Sequence, residues 1–177
     1  MNLFSFAFVD PTMFLSTMTL KYGRNFVDVD AHSKQILLRA PVELSDWGSD
    51  VEQVDYPLIA EWPSARALVA NIASAIRENP QLSSANLQIG RVYVESIAPG
   101  GFIGWNVDRS EYAKKHQRFR LLASPCTGGA WLSGAESMGP IVGNLTYFNT
   151  HDLHSITNLG PVPQISVIVD VRKPNLQ

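Results

Sequence analysis

Between Ser64 and Asn79 the chain reads SARALVANIASAIREN, and Ala65, Leu68, Val69, Ile72, Ala73 and Ile76 recur at i, i+3 and i+4. That spacing draws one apolar stripe along a helix. Ser64 is placed to cap it. Asn79-Pro80 ends it, because the residue before a proline is pushed out of the helical region. A second helix is predicted from about Pro11 to Tyr22, with Asp10 as capping side chain, Pro11 in the first turn and Gly23 as the stop.

The run Gln35 to Arg39, QILLR, predicts a short strand closed by Ala40-Pro41, and the polar, punctuated stretch Val42 to Tyr56 reads as loop. From Asn86 onward the period changes. Short β-rich runs, IGRVYVESI, GFIGWNV, RFRLLAS, GAWLSG, NLTYFN and QISVIVDV, are separated by Pro99-Gly100-Gly101, Gly128-Gly129, Gly139-Pro140 and Gly160-Pro161. Many short strands with regular turn signals predict a sandwich or barrel. SVIVDV is apolar on both faces, as a covered central strand should be. The expectation is a mainly β fold, one domain over residues 1–177, with two helices packed on a barrel.

Composition narrows the class. The chain has 177 residues, 45% hydrophobic and 17% charged, which suits a folded domain with a core of its own. A net charge of -2 supplies no basic field, so nucleic acid is not an expected partner. No apolar run reaches membrane-spanning length, and the apolar opening MNLFSFAFVDPTMF lacks a basic start and is broken by Asp10-Pro11, so neither a membrane nor a secretion signal is expected. The single cysteine, Cys126, fits a reducing, cytoplasmic setting. Without a secretion signal, Asn144-Leu145-Thr146 matches the glycosylation triplet by chance.

Five pieces, in order, carry a family resemblance: VDVDAHSKQILLRAP, APGGFIGWNVD, RFRLLASP, LTYFNTHDLHSITNLGP and QISVIVDVRKP. Together they resemble the aspartyl/asparaginyl β-hydroxylase family of the 2-oxoglutarate and iron(II) dioxygenases. The resemblance runs from about Val27 to Pro174 and is strongest from Ala98 onward. It implies a double-stranded β-helix, the jelly roll also found in cupins, with the site inside its mouth.

Such oxygenases hold iron(II) with two histidines and usually one carboxylate. Strand side chains alternate, so a His-x-Asp pair points to one side. By resemblance Asn106 stands at the first histidine, Asp108 at the carboxylate and His154 at the distal histidine. An amide oxygen is a weak donor for a transition metal, and Asp108 with His154 alone would hold iron poorly. His151 is near in sequence but matches the family's ligand poorly. The resemblance also sets Gln164 where the family carries the arginine that clamps 2-oxoglutarate, and a neutral amide cannot replace a guanidinium there. Arg172 shares a face with Gln164 but lies eight residues on, roughly 26 Å along a strand. Arg118 and Arg120 share a face and resemble handles for a substrate carboxylate.

Each candidate also has a plain structural reading. Asp108 could be a turn cap, His154 a half-buried histidine on a backbone carbonyl, and Arg118 and Arg120 a solvated strand face. Trp105 and Trp131 could be core instead of ligand platforms. The segment with Glu111, Lys114 and Lys115 reads as an exposed loop, long enough to act as a lid. Cys126 has no base beside it in sequence, and His32 and His116 have no motif.

Three functions remain open. In the first, the jelly roll is turned to cofactor-free acid/base chemistry on a small organic molecule: isomerisation, cyclisation, dehydration or addition. Asp108 and His154 are then catalytic, and Asn106, Arg118, Arg120, Trp105, Trp131, Tyr147 and Gln164 bind substrate. The second is a working hydroxylase with iron(II) on Asp108 and His154 and 2-oxoglutarate as cosubstrate. The third is an inert binding protein. Oligomeric state leaves no mark in the sequence.

Overall fold

The computed structural model describes residues 1–18, 25–80, 82 and 87–173. Among the described residues, twelve strands form two facing antiparallel sheets. The larger has the order β1 (Leu3–Phe8), β10 (Asn144–Phe148), β7 (His116–Leu122), β12 (Gln164–Arg172), β5 (Ile89–Ile97), β3 (Ser33–Pro41), β2 (Val27–Asp28), with β4 (Gln53–Asp55) also on β3. The smaller is β6 (Phe102–Asn106), β11 (His154–Asn158), β8 (Gly129–Ser133), β9 (Glu136–Met138). The fold is a double-stranded β-helix, mainly β, as expected.

Period-two alternation gives the large sheet two different faces. Ile36, Leu38, Val92, Val94, Phe119, Leu121, Leu145, Val167 and Val169 pack outward against α1 (Thr12–Thr17) and α3 (Pro63–Glu78), where Phe14, Trp62, Leu68, Ile72 and Ile76 complete the main core. The stripe read from sequence is the face α3 buries. The inner face meets the small sheet. A second, smaller core of Leu3, Ile97, Leu122, Trp131, Phe148 and Ile156 fills part of that gap. Buried charges, Arg91, Glu95, Arg120 and Asp170, lie in the same interior.

Several local expectations change. β12 is central, between β5 and β7, but its inner face is not apolar: Ser166 and Asp170 are both buried there. Paired charge has replaced hydrocarbon as the way to cover that face. Helix α3 begins at Pro63 without a side-chain cap, and Ser64 Oγ instead lies 2.6 Å from Thr17 Oγ1. Asp10 accepts from Thr12 N at 2.9 Å, but from one position before the cap: Pro11 is the N-cap residue and the helix begins at Thr12. Helix α1 is assigned through Thr17, and residues 19–24 of the predicted longer helix lie outside the described residues.

The loop Val42–Tyr56 contains a 3-10 turn, Leu44–Asp46, and β4, which pairs with Arg39–Pro41. A short helix α2 (Pro57–Glu61) follows it. The charged stretch read as an exposed loop, long enough for a lid, is instead helix α4 (Glu111–Lys115), capped by Ser110 Oγ, which accepts from Ala113 N at 3.1 Å. The opening segment, read only for a signal, is the edge strand β1 on β10. Among the described residues no helix is long and apolar enough to cross a membrane.

Candidate active site

A cavity of about 320 Å³ opens between the sheets, lined by Asn106, Asp108, Arg118, Arg120 and His154 together with Tyr93, Glu95, Trp47 and Phe148. Five of the nine residues singled out from sequence therefore meet on one wall system. Antiparallel pairing explains the first part of it: His154 on β11 sits directly across from Asn106 on β6. Asp108 follows two residues later, its backbone N donating to Thr150 O at 2.8 Å, so the chain stays beside the segment leading into His154.

His154 is buried, and its Nδ1 lies 2.9 Å from Asp152 O. A carbonyl only accepts, so Nδ1 carries the proton and Nε2 keeps its lone pair. Burial holds the imidazole below its usual pKa, with Arg118 and Arg120 adding to the effect and Asp108 opposing it. The ring is neutral at pH 7, and Nε2 is a base.

Asp108 is both a turn residue ahead of the Ser110 cap and a wall residue. Its Oδ1 accepts from Ser110 Oγ at 2.6 Å and from Ser110 N at 3.1 Å, which starts α4 and leaves Oδ2 for the cavity. Asn106 Oδ1 accepts from the backbone N–H of Val107 at 2.8 Å. The amide is thereby oriented with its carbonyl oxygen on its own backbone.

The arginines are not a solvated face. Arg118 donates from Nε to Asp170 Oδ1 at 2.8 Å and from Nη2 to Asp170 Oδ2 at 3.0 Å, and Arg91 Nη2 is 3.3 Å from the same carboxylate. Burial pushes the Asp170 carboxyl up, but Arg118 and Arg91 outweigh it and hold the group below the ordinary range. Arg91 itself lies between the rings of Trp47 and Tyr112, 4.4 Å and 3.5 Å from their centroids. Deeper in the cavity, Arg120 donates from Nη2 to Glu95, while its Nε and Nη1 are buried with no hydrogen-bond partner.

Four sequence candidates stand elsewhere. Trp105 is 59% exposed and does not line the cavity. Tyr147 lies on the opposite face of β10, against Phe4 and Phe119 at 5.3 and 5.9 Å; its neighbour Phe148 takes the inward position. Trp131 is core behind the site, its ring 5.7 Å from the Arg120 guanidinium. Gln164 is buried beside Cys126, with Oε1 3.3 Å from Sγ, and is not a lining residue. His151 Nε2 is 2.9 Å from Lys173 Nζ, outside the cavity. Arg172 pairs with Asp50.

Sequence reasoning missed Arg91, Tyr93 and Glu95. The signal was present in IGRVYVESI, where alternation sets all three on one face of a strand with apolar residues between them. It also missed Asp170, because a lone acid in an apolar strand reads as a strand end.

The donor set does not fit a ferrous ion. His154 Nε2 and Asp108 Oδ2 are suitable ligands, but the third position offers an amide whose oxygen already bonds Val107 N–H. Among the described residues no group of three His, Cys, Asp or Glu side chains could hold a metal.

No family model matches the sequence, and no curated protein matches it either. Solved structures do resemble the fold. An oxidoreductase of the 2OG-Fe(II) oxygenase family from Burkholderia pseudomallei superposes with a TM-score of 0.66 at 11% identity, covering 91% of this chain and 78% of its own. A prolyl hydroxylase from Trichoplax adhaerens, in complex with a hypoxia inducible factor peptide fragment, gives 0.62 at 16% identity over 92% and 78%. The viral collagen prolyl hydroxylase of Paramecium Bursaria Chlorella virus-1 gives 0.59 at 11% identity over 98% and 97%. At these identities the likeness defines the class of fold: the chain has the double-stranded β-helix architecture of 2OG-Fe(II) oxygenases. It does not define the reaction.

Proposed function

We propose that this protein catalyses metal-independent proton transfer on a small acidic molecule held between the sheets. One observation carries the reading: a neutral imidazole with a bare Nε2 shares a cavity with a buried guanidinium that has unpaired N–H groups. His154 removes a proton next to a carbonyl or carboxylate, and Asp108 beside it stabilises the imidazolium that forms. Arg120, whose Nε and Nη1 have no partner, supplies positive charge for the developing anion. Isomerisation and dehydration can begin with such a step, and in cyclisation or addition the same base would take the proton of the attacking group. Phe148, Ile103 and Ile156 give the substrate its apolar wall. A reducing cytoplasm suits the single free thiol, Cys126.

The test is solvent exchange. The protein is incubated in D₂O with short-chain 2-oxo, 2-hydroxy and unsaturated acids, and loss of substrate C–H signal is followed by NMR. The expected result is exchange that persists with a chelator and disappears in His154→Gln and Asp108→Asn. Both variants exchanging at the wild-type rate would overturn the assignment.

The fold likeness favours a second reading, an oxygenase working with iron(II) and 2-oxoglutarate. It requires succinate formation that depends on iron(II) and oxygen. In the third reading, an inert binding protein, a captured ligand is recovered unchanged after long incubation.

A further inference from the structure

Several buried hydrogen-bond donors in the interior of the sandwich have no partner. Arg120 is 2% exposed, and its Nε and Nη1 meet no acceptor. Trp131 Nε1, Gln164 Nε2 and Ser166 Oγ are also buried and unpaired. Three of these groups can only donate, and the serine hydroxyl can donate. A buried donor left unpaired costs about 1–3 kcal/mol, more when it is charged. Arg120 lines the cavity, so its deficit can be met from there.

We propose that the deep end of the cavity binds the carboxylate of a short monocarboxylic acid on Arg120, with the acid's uncharged end under His154. This deepens the proton-transfer reading, but binding itself does not depend on it. A carboxylate is acceptor-only and carries the charge a half-neutralised guanidinium still needs; Glu95 engages Nη2 alone. A second carboxylate on the ligand has no counterpart. Arg118 is locked in two parallel bonds to Asp170. The remaining charged groups on the wall are acids: Asp30, Glu95 and Asp108. A dicarboxylate would bring its far end against them. The body of the ligand meets Ile103, Phe148 and Ile156, and about 320 Å³ is at the small end of ligand sites.

The probes are butyrate, succinate and butyramide, with inorganic phosphate as a fourth, each titrated into the full chain by calorimetry. Butyrate should bind, and succinate, butyramide and phosphate should each bind about ten-fold more weakly or less. Arg120→Met should lose at least about ten-fold in butyrate affinity, the size of one charged hydrogen bond. Because that change strands Glu95, the paired variant Arg120→Met with Glu95→Gln is measured beside it. Should neither fold, the Arg120 Nε–H resonance in wild-type protein must shift on adding butyrate. His154→Gln should keep butyrate affinity within about two-fold while losing exchange, which separates binding from chemistry. Succinate or phosphate binding as tightly as butyrate would overturn the proposal. So would an absence of butyrate binding, or binding indifferent to Arg120.

Discussion

Arg118 and Asp170 stand opposite each other on β7 and β12 and share two parallel hydrogen bonds, at 2.8 and 3.0 Å. Arg91 reaches the same carboxylate, so one anion anchors two cations in the interior. Asp170→Asn would leave both guanidiniums without their counter-charge. The expected loss is about 3–5 kcal/mol, measured by urea unfolding. The sign with pH follows from the lowered pKa. The Asp170 contribution is complete above the ordinary aspartate range and is lost as pH falls through the folded-state value. Wild-type stability should therefore fall on acidification below about pH 4 more steeply than that of Asp170→Asn.

The imidazole of His154 gives an independent pH prediction. Its pKa is lowered by burial, so the folded state takes up its proton at lower pH than the unfolded chain does. Stability from this group is present above the unfolded value, about 6.5, and declines as pH falls below it. In wild-type protein the His154 ring signals should titrate with a midpoint below 6.5. His154→Gln should flatten the stability slope that wild type shows as pH falls below about 6.5. A midpoint at or above the ordinary value would remove the neutral base from the mechanism.

Whether an imidazole at position 106 would complete a metal site can be measured. Asn106 is the cross-strand partner of His154, and Asp108 lines the same cavity. Asn106→His places a second imidazole in that register. The variant should take up cobalt(II), with visible d–d absorption, and the wild type should not. Adding His154→Ala to Asn106→His should abolish the absorption. Equal cobalt binding by wild type and variant would show that the amide is no obstacle.

The contrast between readable and unreadable features follows from how each is specified. Helix α3 and strands β5, β7 and β12 announce themselves by local period, and they appear where the pattern sets them. β1 has phenylalanines at alternate positions, but with no polar face it carries no clear strand signature. The Asn106, Asp108 and His154 grouping was legible because two members lie on one short segment and the third came with a motif. Arg120 with Glu95, and Arg118 with Asp170, are pairs set by strand register, which no local window contains. Tyr147 shows how sharp that limit is. A one-residue choice decides which side chain faces the cavity, and Phe148 has it.

Gln164 poses the last test, because sequence and structure disagree about it. By resemblance, arginine at this position should restore a clamp for 2-oxoglutarate. In the fold, Gln164 is 1% exposed, paired across from Ile97, and set against Cys126. It sits against Cys126 and Gly129, and it does not line the cavity. A guanidinium there would be desolvated without a partner, at a cost of several kcal/mol. Gln164→Arg should therefore lower stability by at least about 3 kcal/mol in urea unfolding and create no affinity for 2-oxoglutarate in calorimetry. Asn106→His, at the rim of the cavity, should be tolerated within about 1 kcal/mol by the same unfolding measurement. If Gln164→Arg folds with undiminished stability and binds 2-oxoglutarate, then the start of β12 faces the ligand after all, and the monocarboxylate assignment to Arg120 falls with it.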